Sequence, residues 1–319
     1  MQRQLDPYTL FSRPKREPGK VRTIAAPSPV LMDIQRWLLS NIFERVRPHR
    51  ASYAYQQGRS AVQCAKRHLG ATWLLKFDLH DFFHSVGEPA VYRILRSVGY
   101  NALISFEIAR ICTRLPEGEA RAFTRSKYPT IESYSGLAAG FLPQGAPTSG
   151  AIANLTAYEL DDRLSEVADR YDLVYTRYAD DMTFSTMRHL NRTIVTQCIA
   201  DVTKAVHQSH FRVHRKKTRV VPPGARKLVL GLLVDGDRLR IPVRARQRLE
   251  AHVRGAAIFG LSAHIEHARY SSLGGFVRHV DGLLRYAQGV DRDWAGRLVQ
   301  RWEAVLEAEG VTALDREQW

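Results

Sequence analysis

Apolar residues recur at helical spacing from Val30 to Val46 (Leu31, Ile34, Leu38, Ile42), which predicts a helix there. Helices are also predicted over Ala90–Val98, Ala102–Arg114 and Arg192–Ser209, and through most of the chain beyond Arg244, with an interruption at Gly274-Gly275. Thr148 or Ser149 offers an N-cap for one helix running to about Ala168, with Ile152, Leu155 and Leu164 on one face. Trp73–Leu79 is a short apolar run that reads as a buried strand ending near an aspartate. Leu173–Ser185 reads as two β-rich stretches joined at Ala179-Asp180-Asp181. Val229–Val234 and Arg238–Ile241 flank Asp235-Gly236, a hairpin signal. Residues 1–20 predict a loose arm or edge strand, and the polar stretch 116–140 a long surface connection. The order is a mixed α/β middle followed by a helical tail, with no internal repeat.

Composition adds a polyanion to this picture. The chain has 319 residues, of which 45% are hydrophobic, and a formal charge of +15, the sign of surplus that serves nucleic acid or an acidic surface. The charge is blocked: residues 1–67 carry +9 and 212–254 carry +10, while 68–211 and 255–319 carry −2 each. Two basic blocks around an acidic middle suit a phosphate backbone gripped at both ends and cations held between them; two solvated basic faces are the plainer alternative. Cys64, Cys112 and Cys198 are odd in number and far apart, which excludes a disulfide framework and a cysteine zinc site. His264, Glu266 and His267 lack further ligands nearby and read as a wet helix face. No apolar run approaches the roughly 20 residues that span a bilayer, and the N-terminus has no apolar core. The expectation is a cytoplasmic protein with no membrane partner.

Three carboxylates carry the candidate chemistry. Asp78 ends one predicted strand, and Asp180 with Asp181 occupies the bend of a predicted hairpin. A shared sheet would gather them, and three unpaired carboxylates in one place repel each other until divalent cations neutralise them. Oxygen-only ligands favour magnesium over zinc. Two Mg²⁺ ions roughly 3.5–4 Å apart activate an attacking hydroxyl and stabilise a leaving pyrophosphate. Taken alone, an Asp-Asp pair also suits a plain turn.

Further segments follow in a fixed order. FDLHDFF (Phe77–Phe83), LPQGAPTSGAIANL (Leu142–Leu155), YTRYADDMTFS (Tyr175–Ser185), HRKKTRV (His214–Val220) and KLVLGLLV (Lys227–Val234) resemble the palm motifs of reverse transcriptases. Tyr178-Ala179-Asp180-Asp181 matches the family's Tyr-x-Asp-Asp signature, and the resemblance runs from about Arg22 to about Val280. Within the family the chain looks most like the bacterial retron enzymes, relatives of the group II intron type. Gly58-Arg59-Ser60, the run from Cys64 to His68 and the Arg177–Asp181 hairpin carry that likeness. It departs from the retron pattern at Cys64, where an asparagine is usual, and at Leu230, where a threonine is usual.

The resemblance implies an α+β right-hand polymerase with an antiparallel palm sheet. Fingers would occupy residues 1–72 and the palm 73–237, with a finger or connection segment inserted at about 84–140; a helical thumb would occupy 238–319. It implies Asp78, Asp180 and Asp181 as catalytic metal ligands, with the Leu79 carbonyl as a further ligand, for two Mg²⁺ ions that Mn²⁺ could replace. Phe83 falls at the position that gates sugar choice, against a ribose 2′-hydroxyl. Gln144 and Gly145 match the segment packing on the incoming nucleotide, Arg22 a finger residue on its triphosphate, and Lys217 (or Lys216) a group serving the pyrophosphate. Plainer readings exist for these: aromatic core filling, a Pro-Gln-Gly turn, and simple phosphate contacts. Val229-Leu230-Gly231 would form the hairpin that steadies the primer terminus, and Tyr178 would contact nucleic acid. Arg244 and Arg248 would follow the duplex backbone, and His68 is a retron signature whose plainer role is structural. Implied partners are deoxynucleoside triphosphates, a structured non-coding RNA serving as template and primer, its DNA product, and a separately encoded effector of antiphage defence. The rivals are a non-retron defence or group II intron-like enzyme, and a catalytically silent RNA-binding scaffold.

Overall fold

The computed structural model describes residues 7–14, 19, 21–115, 140–312 and 315–316. Most of the stretch 116–140, expected as a surface connection, therefore lies outside the described residues. The chain divides into two compact units: 1–64 with 73–222, and 65–72 with 223–319.

In the first unit, β1 (Tyr8–Pro14) and β2 (Val21–Pro27) form an antiparallel ribbon, so part of the predicted arm is an edge strand. Then come α1 (Pro29–Asn41) and a short 3₁₀ turn at Phe43–Arg45, within the span predicted as one helix. Next are α2 (Ala61–Lys66), whose last two residues are counted with the second unit, β3 (Trp73–Asp78), α3 (Glu88–Ser97) and α4 (Ala102–Cys112). The single helix expected from Thr148 to Ala168 is two, α5 (Ser149–Thr156) and α6 (Tyr158–Arg170). They part at Ala157, whose ψ of 8° leaves the helical region. Thr148 stands at the N-cap without a side-chain capping bond. β4 (Val174–Tyr178), β5 (Asp181–Thr186), α7 (Arg192–Gln208) and β6 (Arg219–Val221) complete the unit.

The sheet order is β4-β5-β3-β6, antiparallel throughout. Strand alternation sorts its two faces. Leu75, Phe77, Met182 and Phe184 point into a core shared with buried side chains of α5, α6 and α7, such as Ile152, Leu160, Leu164 and Val202. Lys76, Asp78, Asp181 and Thr183 take the opposite face, which therefore carries the polar chemistry.

In the second unit β7 (Leu228–Val229) turns directly into β8 (Leu232–Leu233). The run 229–234, expected as one strand, folds back at Leu230 (φ 49°) and Gly231 (φ 83°), the paired positive φ values of a two-residue hairpin turn. Asp235-Gly236 keeps only a single bridge, Leu233 to Arg240, across it. Four helices follow: α8 (Val243–Phe259), α9 (Leu261–His267), α10 (Leu273–Gln288) and α11 (Arg292–Ala308). The helical tail breaks at Gly260 (φ 81°), over 268–272 and over 289–291, so the interruption expected at Gly274-Gly275 falls just ahead of those glycines. Those glycines lie in the first turn of α10, where Ser272 caps the Gly275 N–H. His264 is buried rather than wet, with its Nε2 3.2 Å from His252 Nδ1, while Glu266 and His267 are exposed. The second unit takes up the chain again at 223, and the Gly70 N–H, which donates to the carbonyls of Val234 and Gly236, ties residues 65–72 to its hairpin. Among the described residues no helix is long and apolar enough to cross a membrane.

Candidate active site

The three carboxylates meet at one end of the central strand pair. Asp78 and Asp181 are register partners across β3 and β5, and Asp180 sits in the bend before β5. That bend requires Ala179 at φ 57°. Its shape is fixed by the Leu79 N–H, which donates to the Asp180 carbonyl (2.9 Å), and by the Arg177 guanidinium, which donates to the Ala179 carbonyl (3.0 Å). The Asp78 carbonyl accepts from the His214 N–H (2.7 Å), which joins β3 to the basic 3₁₀ turn Arg215–Lys217.

Two lysines offset part of the cluster's charge. Lys217 Nζ lies 2.8 and 3.0 Å from the two Asp78 carboxylate oxygens, and Lys76 Nζ lies 3.3 Å from Asp181 Oδ2. Burial and the nearby Asp78 carboxylate raise the Asp180 pKa above the usual carboxylate range, with Lys217 pulling the other way. As these side chains stand, no group of three His, Cys, Asp or Glu among the described residues is placed to hold a metal ion. The donor set nevertheless suits a hard divalent cation: three carboxylates in adjacent positions, one of them electrostatically penalised, and no sulfur or imidazole ligand. In this arrangement Lys217 lies at the Asp78 carboxylate.

Beneath the bend lies a buried polar network that the sequence reading missed. Arg177 occupies the core face of β4 and is fully buried, as is Asp161 on α6. Their fork is bidentate, Nε to Oδ1 at 2.8 Å and Nη2 to Oδ2 at 2.6 Å. Tyr175 donates its hydroxyl to the same carboxylate (2.7 Å), and Arg177 Nη1 also reaches Asn154 Oδ1 (3.0 Å). Asn154 in turn accepts from the Ser52 hydroxyl (2.9 Å) and donates to the Ala54 carbonyl (2.6 Å). Asp161 left a faint sequence signal, lying three residues before Leu164 on the buried side of α6.

The nucleotide-contact candidates of the first unit fall into two groups. Gln144 and Gly145 lie against β2: the Ala25 N–H donates to the Gln144 carbonyl (2.8 Å), and a Cβ on Gly145 would come 2.7 Å from Ile24 Cγ2. Arg22, exposed on β2 opposite Arg13, belongs to the same neighbourhood. Phe82 and Phe83 divide their roles. Phe82 is buried against Phe211, whereas Phe83 is only partly buried and meets the Tyr55 ring edge-on, with centroids 5.9 Å apart. Tyr178 pairs with Asp181 across the hairpin.

In the second unit Leu230 and Gly231 form the hairpin tip, and Arg244 and Arg248 are exposed on α8. Arg246, between them, is bound to Asp291 and lies over the Trp294 ring, so it serves packing. His68 is buried, at 1% exposure.

The sequence profile of the reverse transcriptase (RNA-dependent DNA polymerase) family matches residues 13–234. The chain is 39% identical over 258 residues to the retron Mx162 reverse transcriptase of Myxococcus xanthus, covering 77% of this chain and 52% of that protein. It is 31% identical over 271 residues to the retron Ec86 reverse transcriptase of Escherichia coli, covering 82% and 73%. To the retron Mx65 reverse transcriptase of Myxococcus xanthus it is 33% identical over 298 residues, covering 92% and 64%. The chain thus spans about half the length of the Mx162 protein and under two thirds of the Mx65 protein. The chain belongs to the reverse transcriptase family, among its bacterial retron-type members. The right-hand polymerase class and the antiparallel sheet expected from the sequence both hold.

Proposed function

We propose that this chain is an RNA-directed DNA polymerase, transferring a nucleotidyl group from a deoxynucleoside triphosphate to a 3′-hydroxyl. The observation that carries the reading is the register pairing of Asp78 with Asp181, with Asp180 in the adjoining bend. Asp78 and Asp180 would hold two Mg²⁺ ions, with Asp181 and the Leu79 carbonyl supporting and Mn²⁺ a substitute. Those ions would supply hydroxyl activation and charge neutralisation of the pyrophosphate. Lys217 and Lys76 bring positive charge to Asp78 and Asp181, Arg22 would offer its fork to the triphosphate, and Gln144 with Gly145 would border the base. We extend the reading to a retron-like system, with template and primer from one structured RNA, a separately encoded effector and a role in antiphage defence. Primer extension on an RNA template tests it: incorporation of deoxynucleotides supports the polymerase, and no incorporation of either sugar supports a binding scaffold.

Phe83 is the sugar gate in this reading, because its ring is accessible while Phe82 fills the core. Phe83→Ala is expected to lower the ratio of kcat/KM for deoxy- over ribonucleotides by on the order of tenfold or more. An unchanged ratio in an active variant returns Phe83 to packing.

Arg244 and Arg248, one helical turn apart and exposed, are assigned to the nucleic-acid backbone. Replacing both by glutamine should weaken binding of many RNAs alike and reduce the slope of log affinity against log salt by about 2, roughly 1 per lost phosphate contact. Titration at several salt concentrations reads this out; an effect confined to one RNA sequence would count against it.

A further inference from the structure

Tyr55 lies where the candidate nucleotide site has no assigned residue. Its backbone takes a φ of 54°, a left-handed conformation unusual for an aromatic residue. Two neighbours fix it there: the Tyr53 N–H donates to the Arg177 carbonyl (2.9 Å), and Asn154 holds the Ala54 carbonyl (2.6 Å). Residues so constrained cluster at ligand sites. The ring rests on Gly150 in the first turn of α5, where a Cβ would lie 2.4 Å from Tyr55 Cγ and 2.7 Å from Cδ1. A glycine at that position is therefore what lets the ring lie down. Its other neighbour is the edge of Phe83.

The ring is not core filling, since Tyr55 remains 53% exposed. Its hydroxyl proton is held more tightly than usual, by burial first and then by Asp180 and Tyr178, with Arg22 opposing. The hydroxyl thus shares an electrostatic neighbourhood with a catalytic carboxylate and with the fork assigned to triphosphate. An exposed aromatic face, a second ring at its edge, a cation and a carboxylate cluster match the parts of one molecule, a deoxynucleoside triphosphate with its metal ions. Stacking tolerates every base, because each has a π face.

We propose that Tyr55 is a nucleotide-contacting residue: its exposed ring packs against the incoming deoxynucleotide and its edge sets the angle of the Phe83 gate. This rests on the polymerase reading above. Single-nucleotide incorporation kinetics test it in Tyr55→Gly, Tyr55→Phe and Gly150→Ala, each checked by thermal melting. Glycine adopts a φ of 54° without strain, so Tyr55→Gly keeps the backbone and loses only the ring. It is expected to raise KM for deoxynucleotides about tenfold, within the range of one base stacked on an aromatic ring, to change kcat much less, and to lower discrimination against ribonucleotides. Tyr55→Phe should stay within about twofold of the parent. Gly150→Ala should imitate Tyr55→Gly by pushing the ring aside, yet add nothing when combined with it. An active parent with unchanged KM and discrimination in Tyr55→Gly overturns the inference alone, and so does a Gly150→Ala effect that persists without the ring. A parent that incorporates no deoxynucleotide overturns the polymerase reading and this inference with it.

Discussion

Replacing Asp180 and Asp181 together by asparagine is expected to abolish DNA synthesis while the protein stays folded and binds RNA. An amide neither carries the ligand charge nor supplies the Coulomb energy that two divalent cations require, so the loss should be complete rather than graded. Stability should move the other way. Burial and Asp78 disfavour ionised Asp180 in the fold, and a carboxyl whose folded-state pKa is raised costs stability above that raised value. The cost fades as pH falls through the interval down to the ordinary carboxylate range and is gone below it. Asparagine removes the cost, so the variant's melting temperature in a chelator at neutral pH should equal or exceed the parent's. Lys76 loses its Asp181 partner (3.3 Å), but that pair is partly exposed and contributes little. Primer extension with Mg²⁺ and melting in chelator are the two measurements. Near-parental synthesis by the double variant would remove the assignment of the site.

How much of this site was legible in the sequence follows from the kind of signal each residue gives. Asp78, Asp180 and Asp181 announced themselves because a short apolar run ending in a carboxylate and a β-rich pair joined at Ala179-Asp180 are local patterns, and strand pairing then brings them together. The turn at Leu230-Gly231 is hidden from local turn chemistry, which favours Asp235-Gly236, and only the family resemblance points to it. Leucine takes φ 49° there instead, while Val229 and Leu232 on either side of the turn are fully buried. The split at Ala157 was invisible for a related reason: alanine is the best helix former, and only the packing of α5 and α6 makes the chain turn. Tyr55 gave no legible role, since its position depends on Gly150, 95 residues away. Arg177 gave none because its side-chain partners Asp161 and Asn154 lie on other elements, 16 and 23 residues away. Asn154 bonding Ser52 shows the scale, at a separation of 102.

Arg177→Met is expected to cost roughly 3–5 kcal/mol of stability, the consequence of leaving a buried charge without its partner. Asp161 is fully buried and would keep the Tyr175 hydroxyl as a side-chain donor. The catalytic effect has a separate origin. Arg177 Nη1 holds the Ala179 carbonyl at 3.0 Å, and Ala179, at φ 57°, directs the chain into Asp180. Losing that hydrogen bond frees the bend that sets where Asp180 points, and a small misplacement of a catalytic group costs rate steeply. Arg177 is thus a positioning residue, and stability and activity should be separable. Combining Arg177→Met with Asp161→Leu removes both buried charges, so much of the lost stability should return. The Ala179 carbonyl stays without its donor, so kcat should remain low while KM for deoxynucleotides changes little. Melting curves and steady-state incorporation kinetics on the parent, both single variants and the double variant decide it. If kcat recovers in step with stability, Arg177 serves the fold alone; if stability returns and kcat does not, the buried arginine aims Asp180.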